Sequence, residues 1–127
     1  MTAMGTKKPT EAELEILQVL WKNGPSTVRQ VFEELAPETG YTTILKLMQI
    51  MAAKGLLKRD TAERTHVYAP AISEEQTKKG LVRDFLDKAF RGSARELIVQ
   101  ALSAKKASRA ELAEIRKIIE QFEKGNS

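Results

Sequence analysis

The spacing of hydrophobic residues changes at Gly55, and this change divides the first half of the chain into helices and strands. Before Gly55, apolar residues recur three and four positions apart, as on the buried face of an amphipathic helix. Three such segments are separated by NGP at 23–25 and PETG at 37–40, which end helices and form turns. After Gly55, segments 57–60 and 65–69 are short and β-compatible. The sequence therefore predicts three helices followed by a two-stranded hairpin.

The starts of further helices are marked by the Ser/Thr-x-x-Glu/Gln pattern of a capping box. Such boxes begin at Thr10, Ser73, Ser93 and Ser108, while Ser26 or Thr27 can cap the second helix. Three helices and a hairpin within about 60 residues follow the order of a winged helix-turn-helix. The predicted fold is therefore mainly α. Residues 1–72 form a winged helix-turn-helix domain with a small β-hairpin wing, and residues 73–127 form a helical dimerisation lobe.

Composition excludes several classes of protein. The chain has no cysteine, which is consistent with a reducing cytoplasm, and its only histidine is His66. A zinc site, a His-based triad or another enzyme active site therefore has almost no material, and we expect neither a metal nor a cofactor. No apolar run approaches the roughly 20 residues that span a bilayer. The N-terminal residues MTAMGTKKPTEAE have no apolar core of a signal peptide, so a cytoplasmic protein without membrane insertion is expected.

The third predicted helix, about residues 42–54, has one unusual face. Its apolar residues Ile44, Leu47, Met48 and Met51 predict a buried face. The opposite face carries hydroxyls, an amide and a cation but no carboxylate, whereas a water-facing helix usually mixes acids and bases. Residues 41–70 contain five Lys/Arg against two Asp/Glu, while residues 1–40 contain four against six. This face matches the donors, acceptors and thymine methyls of the DNA major groove.

Two sets of functional residues are predicted. The DNA-binding set comes from the second helix, the third helix and the hairpin: Thr27, Arg29, Tyr41, Thr42, Thr43, Lys46, Gln49, Arg64 and Thr65. The dimerisation set is apolar and lies in the helical lobe: Val82, Phe85, Leu86, Leu97, Ile98, Leu112, Ile115, Ile119 and Phe122. A lobe of about 55 residues supports only a marginal core by itself, and oligomerisation commonly compensates.

Other interpretations remain open at this point. The polar face of the third helix can be an ordinary solvated surface, and the apolar lobe can close an intramolecular core. The alternative function is a winged-helix protein-interaction or adaptor module that does not bind DNA specifically. Protein-binding hot spots favour aromatic and arginine anchors, which this helix face does not offer.

Several motifs resemble the penicillinase-repressor (BlaI/MecI) family of transcriptional regulators. They are TEAE…VLW from Thr10, YTT-x-L followed by KGLL, and VYAPAIS, and the resemblance extends from Thr10 to about Phe122. It implies an N-terminal winged helix joined to a helical domain that forms a homodimer, with palindromic operator DNA as the partner. It also implies induction by a membrane sensor-protease, with cleavage in the C-terminal domain.

Two positions depart from that family pattern. Gln100-Ala101 stands where the family has its Asn-Phe cleavage pair, and Ile50 stands where an arginine is common late in the third helix. The cleavage route and the arrangement of the DNA contacts are therefore expected to differ. The cysteine-rich tail of copper-responsive relatives has no counterpart in this chain.

Overall fold

The computed structural model describes residues 8–125. In chain order these residues form α1 (Glu11–Asn23), β1 (Ser26–Thr27), α2 (Val28–Leu35), α3 (Tyr41–Lys54), β2 (Leu57–Asp60), β3 (Val67–Pro70), α4 (Glu74–Phe90), α5 (Ala94–Ala104) and α6 (Arg109–Gly125). Residues 1–7, part of the segment predicted to hold no signal peptide, lie outside the described residues, as do 126–127. The mainly helical fold with a small antiparallel sheet confirms the predicted fold class.

The chain divides into two compact units between Val82 and Arg83, inside α4. The domain boundary predicted at residue 72 lies instead in the loop that precedes α4. That boundary stays a prediction, and the two units are described separately.

In the first unit, α1 and α2 both begin with a complete capping box. The Thr10 hydroxyl accepts the Glu13 N–H at 3.2 Å, and the Glu13 carboxylate accepts the Thr10 N–H at 3.0 Å. Thr27 and Gln30 make the same reciprocal pair at the start of α2. Each box satisfies backbone N–H groups that the first helical turn would leave without partners.

The sheet has three strands, one more than the predicted hairpin. β2 and β3 pair antiparallel, and β1 pairs antiparallel with the other edge of β3, which gives the order β1-β3-β2. β1 is only two residues long and leads directly into α2, so it is too short to show the alternation that marks a strand. We use the name wing for β2, β3 and the turn 61–66 between them.

A single hydrophobic core holds α1, α2, α3 and the sheet together. Its buried members are Ile16, Leu17, Val19, Leu20, Val28, Val31, Ile44, Met48, Met51, Leu56, Leu57 and Tyr68. Trp21 is half-buried against this cluster, and its indole N–H donates to the Ile72 carbonyl at 3.1 Å. That bond ties the residues after β3 to α1. Gly55 ends α3 at a φ of 88°, a conformation that glycine adopts without strain, and the chain turns there into β2.

The second unit contains the rest of α4 together with α5 and α6. The Ser93 and Ser108 hydroxyls in this unit, and the Ser73 hydroxyl at the start of α4 in the first unit, each accept the backbone N–H three residues further on, so all three predicted helix starts are capped. None of the residues of α4, α5 or α6 is buried in the single chain. No helix within residues 8–125 combines the length and the apolar character needed to cross a membrane.

Candidate nucleic-acid interface

The exposed side of α3 carries four of the predicted DNA-binding residues. α3 buries Ile44, Met48 and Met51 in the core. Its opposite side is formed by exposed residues: Thr42, Thr43, Lys46 and Gln49. No Asp or Glu occurs between Glu38 and Asp60. This side therefore offers hydroxyls, an amide and an ammonium group, without an acid that would repel a polyanion.

Tyr41 connects the beginning of α3 to α2. The Arg29 guanidinium lies over the Tyr41 ring at 4.6 Å from its centroid. The Phe32 ring meets Tyr41 edge-on, with centroids 5.8 Å apart and an interplanar angle of 74°. Cation–π and edge-to-face contacts of this kind are attractive beyond the area that they bury. The guanidinium is thus held beside α3 before any ligand arrives.

Thr27 has a structural role in addition to its predicted place in the DNA-binding set. It is half-buried, it pairs with Val67 in the sheet, and its hydroxyl accepts the Gln30 N–H at 3.1 Å. A hydroxyl that accepts one bond keeps its own hydrogen available to donate. The Thr27 hydroxyl can therefore still donate to a ligand or accept one further bond from it.

A cleft of about 240 Å³ lies between α2, α3 and the wing. Six of the nine predicted DNA-binding residues line it: Thr27, Arg29, Tyr41, Gln49, Arg64 and Thr65. Its remaining lining residues are Val28, Leu45, His66 and Tyr68. The other three predicted residues, Thr42, Thr43 and Lys46, do not line the cleft and belong to the exposed side of α3. The structure thus brings two arginines and a histidine to one concave surface beside α3.

The basic residues counted between 41 and 70 do not form one patch. Lys54 is bound by the Glu13 carboxylate, with Nζ 2.7 Å from Oε2. Lys58 and Arg59 are exposed on β2, where they oppose Ala69 and Tyr68 and therefore project to opposite faces of the sheet. Lys46 is exposed on α3, and Arg64 is exposed in the wing, where it lines the cleft. Besides Lys54, which is paired with Glu13, the positive charges on or beside the exposed side of α3 are those of Lys46, Arg29 and Arg64.

The sequence interpretation assigned Glu13 only to a capping box and missed its ion pair. Burial by itself would raise the pKa of Glu13, but the bonds from Lys54 and Thr10 outweigh burial and hold that pKa below its ordinary value. Glu13 and Lys54 are 41 positions apart in the chain. No local pattern signals a pairing over that distance.

The family model described as penicillinase repressor matches residues 9–121 of this chain. The penicillinase repressor of Bacillus licheniformis is 28% identical over 118 residues, which cover 88% of this chain and 89% of that protein. The transcriptional regulator BlaI of Mycobacterium tuberculosis is 33% identical over 89 residues, or 68% of this chain and 64% of that protein. The family match over residues 9–121 includes both the winged-helix residues and most of the helical lobe.

Two solved structures share the fold at low sequence identity. A crystal structure of overoxidized AbfR bound to DNA has a TM-score of 0.51 at 15% identity, covering 80% of this chain and 79% of that one. A MarR family protein from Bacillus stearothermophilus has a TM-score of 0.50 at 16% identity, covering 96% and 81%. Both likenesses concern the fold alone. The family match over residues 9–121 decides the assignment: this chain belongs to the penicillinase repressor family, whose members are transcriptional regulators and not enzymes.

Proposed function

We propose that this protein is a transcriptional repressor that binds palindromic operator DNA as a homodimer, with α3 in the major groove. The observation that carries the proposal is the exposed side of α3, where Thr42, Thr43, Lys46 and Gln49 are accessible and no carboxylate is present. A helix that enters the groove meets base edges in front and phosphates on both sides. Phosphates would therefore repel an acidic residue anywhere on the exposed side of such a helix. The absence of Asp and Glu from α3 agrees with this expectation.

The side chains of α3 match the groups that bases present in the major groove. Lysine reaches the O6 and N7 acceptors of guanine, glutamine pairs with adenine, and threonine bonds a base edge or touches a thymine methyl. Thr42, Thr43 and Lys46 lie in the first turns of α3, the part of a recognition helix that approaches the bases most closely. Base readout is therefore assigned to these three residues and to Gln49.

The cleft beside α3 suits the sugar–phosphate backbone. Arg29 and Arg64 line it from opposite elements, α2 and the wing. Phosphate contacts fix the position of a protein on the duplex without reading its sequence. Since Tyr41 already holds the Arg29 guanidinium, little side-chain freedom is lost when that group binds a phosphate. In this arrangement Arg29 and Arg64 position the protein on the DNA backbone, while α3 reads the bases.

The helical lobe supports self-association. The nine predicted dimerisation residues are all exposed or half-buried in the single chain, and Phe122 is 65% exposed. α6 repeats apolar residues three and four apart, from Leu112 to Phe122, and in this stripe Leu112 and Ile115 are half-buried while Ile119 and Phe122 are exposed. In a two-fold symmetric dimer, the apolar surface of one copy packs against the same surface of the other copy. The dimer also presents two α3 helices to the DNA, so the site must be a palindrome with half-sites about one helical turn, or a multiple, apart.

In-vitro selection of bound duplexes from a random pool by the full-length protein tests the proposal. An enriched inverted repeat is expected, and gel shifts at two salt concentrations should separate its affinity from that for random duplex. A pool that returns no common sequence, with equal affinity for all duplexes, would contradict sequence-specific repression. It would favour an adaptor function instead.

The dimer is tested by Phe122→Glu, which places a charge at the exposed end of the apolar stripe of α6. Sedimentation should show a monomer, and affinity for the selected palindrome should fall to near the value for random DNA. Gln121→Glu, also exposed on α6 but outside the predicted interface, is the matched control and should leave both measurements unchanged. A monomeric Phe122→Glu protein that still binds the palindrome tightly would refute the dimer as the source of specificity. If the proposal holds, an inducer that separates the two copies releases the operator.

A further inference from the structure

Ile50 is an exposed apolar residue of α3 that takes no part in the hydrophobic core. It is 42% exposed, and no other large hydrophobic residue between residues 8 and 81 is exposed to this extent. The other large apolar residues of α3 are buried or half-buried: Ile44, Leu45, Leu47, Met48 and Met51. Val82, the next exposed one along the chain, is in α4. Ile50 therefore stands alone as an apolar group on the surface of the winged helix.

The helical repeat places Ile50 among the residues assigned to base readout. At about 100° per residue, Ile50 lies about 40° around the helix from Lys46 and about 20° from Thr43. It is one turn beyond Lys46 and two turns beyond Thr43, and it lies about 160° around the helix from the buried Met48. A duplex that contacts Lys46 in the groove thus runs close to Ile50 as well.

The surroundings of Ile50 do not form a protein-binding patch. The exposed α3 residues beside it are Thr43, Lys46, Gln49, Ala53 and Lys54, and the half-buried Leu47 lies one turn before it, so its apolar neighbours are one alanine and part of one leucine. Protein interfaces use contiguous apolar patches with aromatic or arginine anchors. The major groove, in contrast, presents a single kind of isolated apolar group, the C5-methyl of thymine.

We infer that Ile50 is a specificity-determining residue that contacts the C5-methyl group of a thymine in each operator half-site. This inference rests on the proposed function, because it assumes that α3 lies in the major groove of a specific site. The β-branched side chain has few rotamers in a helix, so its apolar surface is held in place before DNA binds. Ile50 selects for thymine at one position by burying a methyl group, while the hydrogen-bonding residues earlier in α3 select at others.

The test uses the full-length protein and the palindrome obtained by selection. Each thymine is replaced in turn by deoxyuridine, which lacks only the C5-methyl group and keeps every hydrogen-bonding edge. Loss of one buried methyl should weaken binding about fourfold for one half-site and about 15-fold for both. Exactly one thymine position per half-site is expected to show this loss when the neighbouring thymines are scanned in the same way.

The variant Ile50→Ala tests whether Ile50 causes the loss of affinity on deoxyuridine substitution. The exposed side chain is not part of the core, so the variant should keep the thermal midpoint of the parent. The variant should bind the palindrome with thymine at the sensitive position and the palindrome with deoxyuridine there equally well. Two groups in contact are expected to show such non-additive effects. Gln49→Ala is the matched control on the neighbouring exposed position: it should weaken binding and keep the full deoxyuridine effect.

Two results would overturn the inference while the proposed function stands. One is a selected palindrome in which no thymine position responds to deoxyuridine. The other is an Ile50→Ala protein with the same deoxyuridine effect as the parent. A pool that yields no palindrome overturns both the proposed function and this inference, and the selection step distinguishes that case from the other two.

Discussion

The Lys54 ammonium group lies 2.7 Å from the Glu13 carboxylate and joins the last turn of α3 to the first turn of α1. The pair is asymmetric, because the Glu13 side chain is 3% exposed and the Lys54 side chain is 43% exposed. A carboxylate so far from water depends on its partners, here Lys54 and the Thr10 backbone. This contact fixes the end of the helix that we assign to the groove.

Glu13→Gln is expected to lower the free energy of unfolding by about 1–3 kcal/mol, because it removes a charged hydrogen bond at a buried site. Lys54→Met should cost more, since it leaves a buried charge without its cation. The double variant should lose less than the sum of the two. Urea unfolding measures all three, and Glu15→Gln, which is exposed on the same helix, is the control. Strictly additive losses would mean that the pair contributes no coupling.

The Glu13 pair should also shape the dependence of stability on pH. The folded pKa of Glu13 is held below its ordinary value, near 4.3 for a free glutamate. Its contribution to stability is therefore complete above the unfolded pKa and is lost as pH falls through the folded pKa. The stability difference between the parent and Glu13→Gln should be constant above about pH 6 and shrink below about pH 4. A difference that grew on acidification would show that the sign of the pKa shift is wrong.

Lys46→Ala should cost about 1–3 kcal/mol on the selected palindrome and much less on random duplex, if Lys46 makes a base contact. Its exposed position on α3 predicts no loss of folding stability. Competition gel shifts with both duplexes give the two affinities. Equal losses on both would assign Lys46 to phosphate contact instead of base readout.

Arg64→Ala should weaken binding to every duplex by a similar factor, because Arg64 lines the cleft from the wing and not the exposed side of α3. Loss of one phosphate contact should reduce the salt slope of log affinity by about 0.9. Lys106→Ala, between α5 and α6, removes an equal charge outside the winged helix and serves as the control. An unchanged slope for Arg64→Ala would remove the wing from the interface.

The sequence predicted the features that local chemistry determines. The capping pattern located the starts of α1, α4, α5 and α6, and the change of period at Gly55 located the wing. Ile44, Met48 and Met51 were correctly assigned to the buried face of α3. These features depend on residues within one or two turns of each other, so the pattern carries enough information.

Features that depend on distant residues were missed. β1 has two residues, and its partner strand begins at Val67. The bond between Glu13 and Lys54 and the stacking of Arg29 on Tyr41 require the helices to be packed already. The cleft was not predicted either, although six residues expected to bind DNA line it. Exposure was the missing information for Ile50, because an isoleucine in a helix ordinarily indicates a core position.

The pairing of β1 with β3 has a consequence for the order of folding. Thr27 and Val67 are about 40 positions apart, whereas the hairpin of β2 and β3 and each helix close over short distances. Strand β1 should therefore join after the rate-limiting step, so that Ser26→Gly, which changes β1 and leaves the β2–β3 hairpin intact, accelerates unfolding and leaves the folding rate nearly unchanged in stopped-flow experiments. A slower folding rate would place the pairing in the nucleus instead. On the ribosome, the three helices can form before the strand that completes the sheet has emerged. A nascent chain that ends before Val67 thus carries α3 without the cleft beside it.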